Sequence, residues 1–269
     1  MVKIHEVRAK SVLHKTKIPG EDWVINHYSG CMHGCIYCYA RFVCRWRKQN
    51  EKWGEFVDVK INAPELIAKE SKSKTGSVIL CTSADPYQPI ERKYQLTRRV
   101  LQNLNPKMKL GILTKSDLVL RDVDVFRRFK NCELGLTITT LDENIKKVFE
   151  PFSSSSHARL EALKKLKQEG FYTYAFIGPI LPYLTDLEEI FREVSPFIDL
   201  FMFEDLNLTP AKKEIFEAIK KNFPGLEDKY RNLSKEFWLK KEKEIKGLGK
   251  DFNKPIKIYF KHTGSLKFR

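Results

Sequence analysis

Short apolar runs and amphipathic stretches alternate along most of this chain. Residues 23–27 open the series as a strand. The run at 77–82, just after Gly76, has the length and composition of a buried strand. Residues 109–113, 133–139, 171–177 and 197–203 repeat the pattern. Between them lie stretches with helical periodicity: 94–104, from a cap at Ser116 or Asp117 to 129, 142–149 stopped by Pro151, 156–168 stopped by Gly170, and 186–194. Six strands alternating with helices predict parallel strands joined by crossover helices. Six units fall short of the eight of a closed barrel.

The flanks are less regular. Residues 1–22 read as an N-terminal extension without a motif, and 56–61 as an extra strand or an extended connection. Pro64 starts a helix to about residue 71. Residues 40–49 have helical character, with Arg41, Arg45 and Lys48 on one face that suits either solvent or phosphate. Residues 206–250 read as helices broken at Phe223-Pro224-Gly225 and ending at Gly247-Leu248-Gly249. A strand at 256–260 and a basic tail close the chain. The fold class expected is therefore α/β, organised as an extension (1–22), an open βα barrel (23–205) and a mainly helical basic extension packed on it (206–269).

Composition narrows the classes. With 42% hydrophobic residues the chain can fill a core, so wholesale disorder is excluded. There is no run of about 18 uncharged apolar residues, so no membrane span is expected. The start of the chain lacks the apolar core of a signal peptide, and a cytoplasmic protein is the expectation. The formal net charge is +15, and residues 206–269 carry +9 of it. That points to a polyanionic partner, nucleic acid first, or equally to a merely lysine-rich solvated surface.

The chemistry concentrates in Ser29-Gly30-Cys31-Met32-His33-Gly34-Cys35-Ile36-Tyr37-Cys38-Tyr39-Ala40. Cys31, Cys35 and Cys38 have the spacing C-x3-C-x2-C, and no fourth cysteine follows at a spacing that closes a compact four-ligand site. Three thiolates on one loop can hold three irons of a [4Fe-4S] cluster and leave the fourth open to an exogenous ligand. The alternative is a structural zinc site that adds His33, in a basic nucleic-acid-binding module; such sites usually join two separated ligand pairs. Cys44 and Cys132 read as structural.

With Tyr37 before the last cysteine, this loop resembles that of the radical S-adenosylmethionine (radical SAM) enzymes. Further polar residues fall where parallel α/β folds place their chemistry, after the strands: Thr82-Ser83-Ala84-Asp85-Pro86-Tyr87-Gln88-Pro89, Thr114-Lys115-Ser116, Thr139-Thr140, Gly178-Pro179 and Glu204-Asp205. Together with Glu150-Pro151, Arg159 and Pro179-Ile180-Leu181-Pro182, these look like the radical SAM subgroup related to spore photoproduct lyase, over residues 23–205.

The resemblance implies a partial (βα)6 TIM-type barrel. It implies a [4Fe-4S] cluster on Cys31, Cys35 and Cys38, whose open iron chelates S-adenosylmethionine. It further implies reductive cleavage of that cofactor to a 5′-deoxyadenosyl radical, hydrogen abstraction from a substrate, and an external reductant of ferredoxin or flavodoxin type. Ser83 and Lys115 would bind the cofactor carboxylate, Thr139 the ribose, and Arg159 would add a second cation; from the residues alone Arg159 could equally pair with Glu150 or Glu161. Asp85 either touches the cofactor or holds its own turn. Cys81 and Tyr39 match a hydrogen donor and a tyrosine of the lyase's radical relay. The plain alternative for Cys81 is a small buried hydrophobe.

Overall fold

The apolar runs read from the sequence lie side by side. In the computed structural model, which describes residues 2–46 and 51–261, the strands are β1 (Lys3–Val7), β2 (Leu13–Lys15), β3 (Trp23–Ile25), β4 (Tyr28–Ser29), β5 (Phe56–Lys60), β6 (Ser77–Leu80), β7 (Lys109–Thr114), β8 (Cys132–Thr137), β9 (Tyr172–Ile177), β10 (Leu200–Glu204) and β11 (Ile256–Tyr259). The main sheet runs β2-β3-β6-β7-β8-β9-β10-β11. Every pairing from β3 to β11 is parallel, and β2 closes one edge antiparallel to β3. The six expected strands are β3 and β6 to β10. They form the open α/β barrel that the alternation predicted, with crossover helices between them and a helical region after β10.

The flanks are woven into this architecture. β1 pairs with β5, which pairs with β4, in a second small sheet. Residues before Trp23 thus contribute two strands that have no clear sequence signal, because β2 has only three residues. β11 extends the barrel sheet beside β10, so the C-terminal region supplies a seventh parallel strand. The basic tail beyond residue 261 and Lys48 lie outside the described residues. Arg41, on the 3-10 helix Tyr39–Trp46, pairs with Glu214 at 2.7 Å rather than facing solvent.

Packing explains where elements stop. On helix Ser156–Gln168, Arg159, Ala162, Leu163 and Leu166 are buried, the i, i+3, i+4, i+7 stripe of a helix lying on a sheet. Ser155 caps it, accepting from Ala158 N, while the Ser156 hydroxyl donates to Thr140 O. The expected helix at 94–104 is broken by Gln95, whose φ of +46° separates Glu91–Tyr94 from Leu96–Asn103. The last helix, Lys235–Asp251, runs through Gly247 and Gly249 instead of ending there. A Cβ on Gly249 would lie 2.9 Å from the Ile256 side chain, so this glycine permits close approach of β11 rather than a stop.

Candidate active site

The cysteine loop leaves β4 and returns into the 3-10 helix at Tyr39. Gly30, with φ +82°, turns the chain where a Cβ would meet Phe56 O at 2.5 Å, so only glycine fits. Gln88 then clamps the loop from the far side: its carboxamide oxygen accepts from Met32 N at 2.8 Å and its nitrogen donates to Gly30 O at 3.2 Å. Ile36 N donates to Phe149 O, and Phe152 N to His33 O, pinning the loop to the segment after β8. Cys31 and Cys35 are buried and Cys38 half-buried. Burial pushes all three thiols above their ordinary range, while the Lys115 ammonium pulls Cys35 and Cys38 partly back. Among the described residues no three His, Cys, Asp or Glu side chains gather around one point as a single metal ion requires. His33, the fourth ligand of the zinc alternative, lies with Nδ1 3.5 Å from Asp85 Oδ2.

Tyr37 is the loop's inward anchor. Its hydroxyl donates to Glu150, which also accepts from Thr139 Oγ1 at 2.9 Å and meets Arg159 Nη2 at 2.7 Å. Arg159 Nη1 donates to Thr137 O at 2.7 Å. Glu150, Thr139 and Arg159 are all wholly buried. Burial alone would raise Glu150, but Arg159, Lys115 and the hydroxyls of Tyr37 and Thr139 overcome it and hold the carboxyl down to about 2. Arg159 and Thr139, expected at the cofactor, are therefore committed to Glu150. For Arg159 this is the pairing that the sequence left open. The physical reason is that a buried carboxylate demands donors and a countercharge.

Asp85 fastens its own turn to the end of β7. It accepts from Thr114 Oγ1 at 2.6 Å, Lys115 N at 2.8 Å and Tyr87 N at 2.8 Å. Burial raises it, and His33 with these donors more than offsets that, leaving the carboxyl below its ordinary value. Its side chain thus serves the turn and the end of β7. Lys115 differs: its Nζ lies 5.7 Å above the Tyr37 ring and makes no hydrogen bond or ion pair among the described residues. Burial would lower its pKa, but Cys35, Glu150 and Asp85 outweigh this and raise it, so the ammonium stays charged. Ser83 sits on the loop after β6, its Oγ 3.4 Å from Asn26 Oδ1, which also accepts from Thr82 N at 2.9 Å.

Cys81 follows the last residue of β6 with φ +52°, a strained region for a non-glycine residue, while its N–H donates to Ile25 O at 2.8 Å. Its sulfur lies 3.6 Å from Nδ1 of the buried His27, whose Nε2 is 2.8 Å from Thr97 Oγ1. Tyr39, half-exposed, donates its hydroxyl to Thr82 O, the carbonyl next to Cys81. Across the sheet, burial pushes Glu204 up to about 7 at the end of β10, against the pull of Lys261 and Lys115. The structure thus brings Cys81, Tyr39, Ser83 and Lys115 to the carboxyl-end rim beside the cysteine loop. His27 and Asn26 join them without having been singled out by sequence, and so do Gln88 and Glu204, which the sequence offered only as polar residues after strands. For Gln88 the signal was its place in the Asp85-Pro86-Tyr87-Gln88 run.

Comparisons with known proteins agree with this geometry. A family model described as the radical SAM superfamily matches residues 25–194. An uncharacterised protein of Methanocaldococcus jannaschii is 46% identical over 223 residues, covering 83% of this chain and 85% of that one. Among solved structures, spore photoproduct lyase complexed with a dinucleoside spore photoproduct matches with a TM-score of 0.68 at 17% identity, over 96% of this chain and 82% of the lyase. A doubly substituted lyase with bound AdoMet and the same dinucleoside matches with a TM-score of 0.68 at 19% identity, over 96% and 81%. At these identities the structures share the fold. No helix among the described residues is long and apolar enough to cross a membrane.

Proposed function

This chain belongs to the radical SAM superfamily, and from that premise we propose that it is a hydrogen-abstracting enzyme acting on nucleic acid, with Cys31, Cys35 and Cys38 as the ligands of its [4Fe-4S] cluster. The family works with such a cluster and S-adenosylmethionine and needs a reductant. Held by Cys31, Cys35 and Cys38, the cluster and cofactor would supply one-electron, radical-generating chemistry at this loop. The observation that carries the reading is the pairing of three thiols on one loop with the Lys115 ammonium beside them, which has no counter-ion among the described residues. A thiol trio suits iron, and a cation without a counter-ion suits a carboxylate.

The chain's own residues then divide the work. Lys115 and Ser83 bind the cofactor carboxylate, while Asp85 holds the two loops that carry them. Thr139 and Arg159 hold Glu150 and, through it, Tyr37. Cys81 returns a hydrogen atom to the substrate radical, with Tyr39 next to it in the relay. Burial keeps the Cys81 thiol up to about 12, so the S–H bond that such a donor needs is present at neutral pH. The reductant is of ferredoxin or flavodoxin type.

Nucleic acid as substrate rests on charge and on likeness. The basic C-terminal helices reach the rim through Arg41 and Glu214, and Lys261 lies near Glu204. The lyase of similar fold binds a dinucleoside photoproduct. The test is anaerobic reconstitution with iron and sulfide, then reduction with S-adenosylmethionine present. 5′-Deoxyadenosine should form and should vanish in Cys35→Ala; tightly bound zinc without iron uptake overturns the reading.

A further inference from the structure

Two cations stand near one buried carboxylate, and they are used unequally. Glu150 holds Tyr37 of the cysteine loop and Thr139 on its Oε1, and Arg159 on its Oε2 at 2.7 Å. Lys115 lies within electrostatic reach of Glu150 and Asp85 yet pairs with neither, resting instead 5.7 Å over the Tyr37 ring. The fold needs a hydrogen-bond acceptor at position 150, because without one the hydroxyls of Tyr37 and Thr139 would go unpaired in the buried interior. A carboxylate in that setting attracts the nearest available cation strongly, since the low local dielectric magnifies the interaction. Were Arg159 absent, the cation free to move in on a flexible stem would be Lys115, since Lys146 already donates its Nζ to Ser153 O at 2.6 Å.

We propose that Arg159 is a positioning residue that occupies Glu150 and so keeps Lys115 available for the cofactor carboxylate. This rests on the reading of Lys115 given above. A stability role alone does not account for the arrangement, because buried ion pairs are often no more stabilising than apolar groups of the same volume. What the pair adds is a fixed assignment: one cation neutralises the anchor of the cluster loop, and the other stays open at the rim. Arg suits the first task, since its planar fork spans Glu150 and Thr137 O at once.

The test is S-adenosylmethionine binding, without reductant, to anaerobically reconstituted protein of matched iron content. Lys115→Met should raise Kd about tenfold or more, as expected for removing one charge-assisted hydrogen bond. Arg159→Met should raise it to a similar extent although Lys115 is intact, and Arg159→Lys should bind like the parent. The double variant E150Q/R159M should recover most of the affinity that R159M forfeits, because an unpaired Glu150 carboxylate no longer draws Lys115 away. E150Q/R159M also keeps the test open if R159M fails to fold, since it buries no unpaired charge. An unchanged Kd in K115M overturns the carboxylate reading of Lys115 and this inference with it. A weakened K115M beside an unchanged R159M overturns this inference alone, as does a well-folded E150Q/R159M that binds as poorly as K115M.

Discussion

The Cys81 sulfur lies 3.6 Å from His27 Nδ1, both side chains buried under the rim of the barrel. Burial keeps the thiol protonated up to about 12 and holds His27 down to about 3, with Lys60 adding to the latter. Around neutral pH the pair is thus a thiol beside a neutral imidazole, not a thiolate–imidazolium pair. Such a thiol is a poor nucleophile and a competent hydrogen-atom donor. Cys81→Ala should leave 5′-deoxyadenosine formation within about twofold of the parent while changing the product ratio, because it removes the donor and no group that binds the cofactor. Loss of 5′-deoxyadenosine in this variant would show that Cys81 acts earlier.

His27 also makes a pH prediction whose sign is fixed. Its pKa is about 3 in the folded chain against an ordinary 6.5. Below the unfolded value the unfolded chain binds a proton that the folded chain refuses, so stability falls as pH drops from about 6.5 toward 3. Above that window His27 contributes no pH dependence. Urea midpoints at about pH 7, 6 and 5 should fall more steeply for the parent than for His27→Asn, even though the variant starts lower for want of the ring's packing and its hydrogen bond with Thr97. Equal slopes would mean that another group carries the acid sensitivity.

Gly30 is the tightest point of the cysteine loop. Alanine there would combine a positive φ with a Cβ 2.5 Å from Phe56 O and 2.7 Å from its ring. The loop or β5 must shift, at a cost of about 1–3 kcal/mol for the backbone alone. Gly30→Ala should therefore lower iron content after reconstitution and lower Tm together, whereas Gly20→Ala, also at positive φ but with open space around it, should lower Tm alone. Retained iron at parental stoichiometry in Gly30→Ala would show that the loop geometry is more tolerant than its surroundings suggest.

How much of this was legible in the sequence follows from the range of each interaction. The six barrel strands were readable because each is a local apolar run, and the cysteine loop because its spacing is local too. Lys115 and Ser83 could be nominated because they sit in motifs just after strands. What was not readable is pairing over long separations. Nothing near Arg159 in sequence says that Glu150 will claim it, since the choice between Glu150 and Glu161 depends on where its helix lands on β8. His27 reads as a strand end until β6 brings Cys81 alongside it. The strand β11 was expected from its own pattern, yet its place beside β10 depends on Gly249 letting the last helix pass close by.

That last placement changes how the basic C-terminal region can be tested. Removing everything after Asp205 would strip β11 from the barrel sheet and take Trp238, Ile245 and Phe260 out of the core, so weaker binding would report unfolding. Charge reversal on the surface avoids this. Lys213 and Lys220 are exposed and seven residues apart on helix Lys212–Asn222, hence on one face, and the same helix carries Glu214, the partner of Arg41 beside the cysteine loop. If this face tracks a phosphate backbone toward the rim, Lys213→Glu/Lys220→Glu should weaken single-stranded nucleic-acid binding across sequences. The slope of log K against log salt should fall by about 0.7 for each phosphate that is no longer neutralised. S-Adenosylmethionine binding should not change, because neither lysine belongs to the proposed cofactor site. Fluorescence anisotropy over a salt series measures both affinity and slope. An unaltered slope would remove this helix from the nucleic-acid surface, and an unaltered slope after the same reversal at Lys246 and Lys250 would leave the region's positive charge without a polyanionic partner.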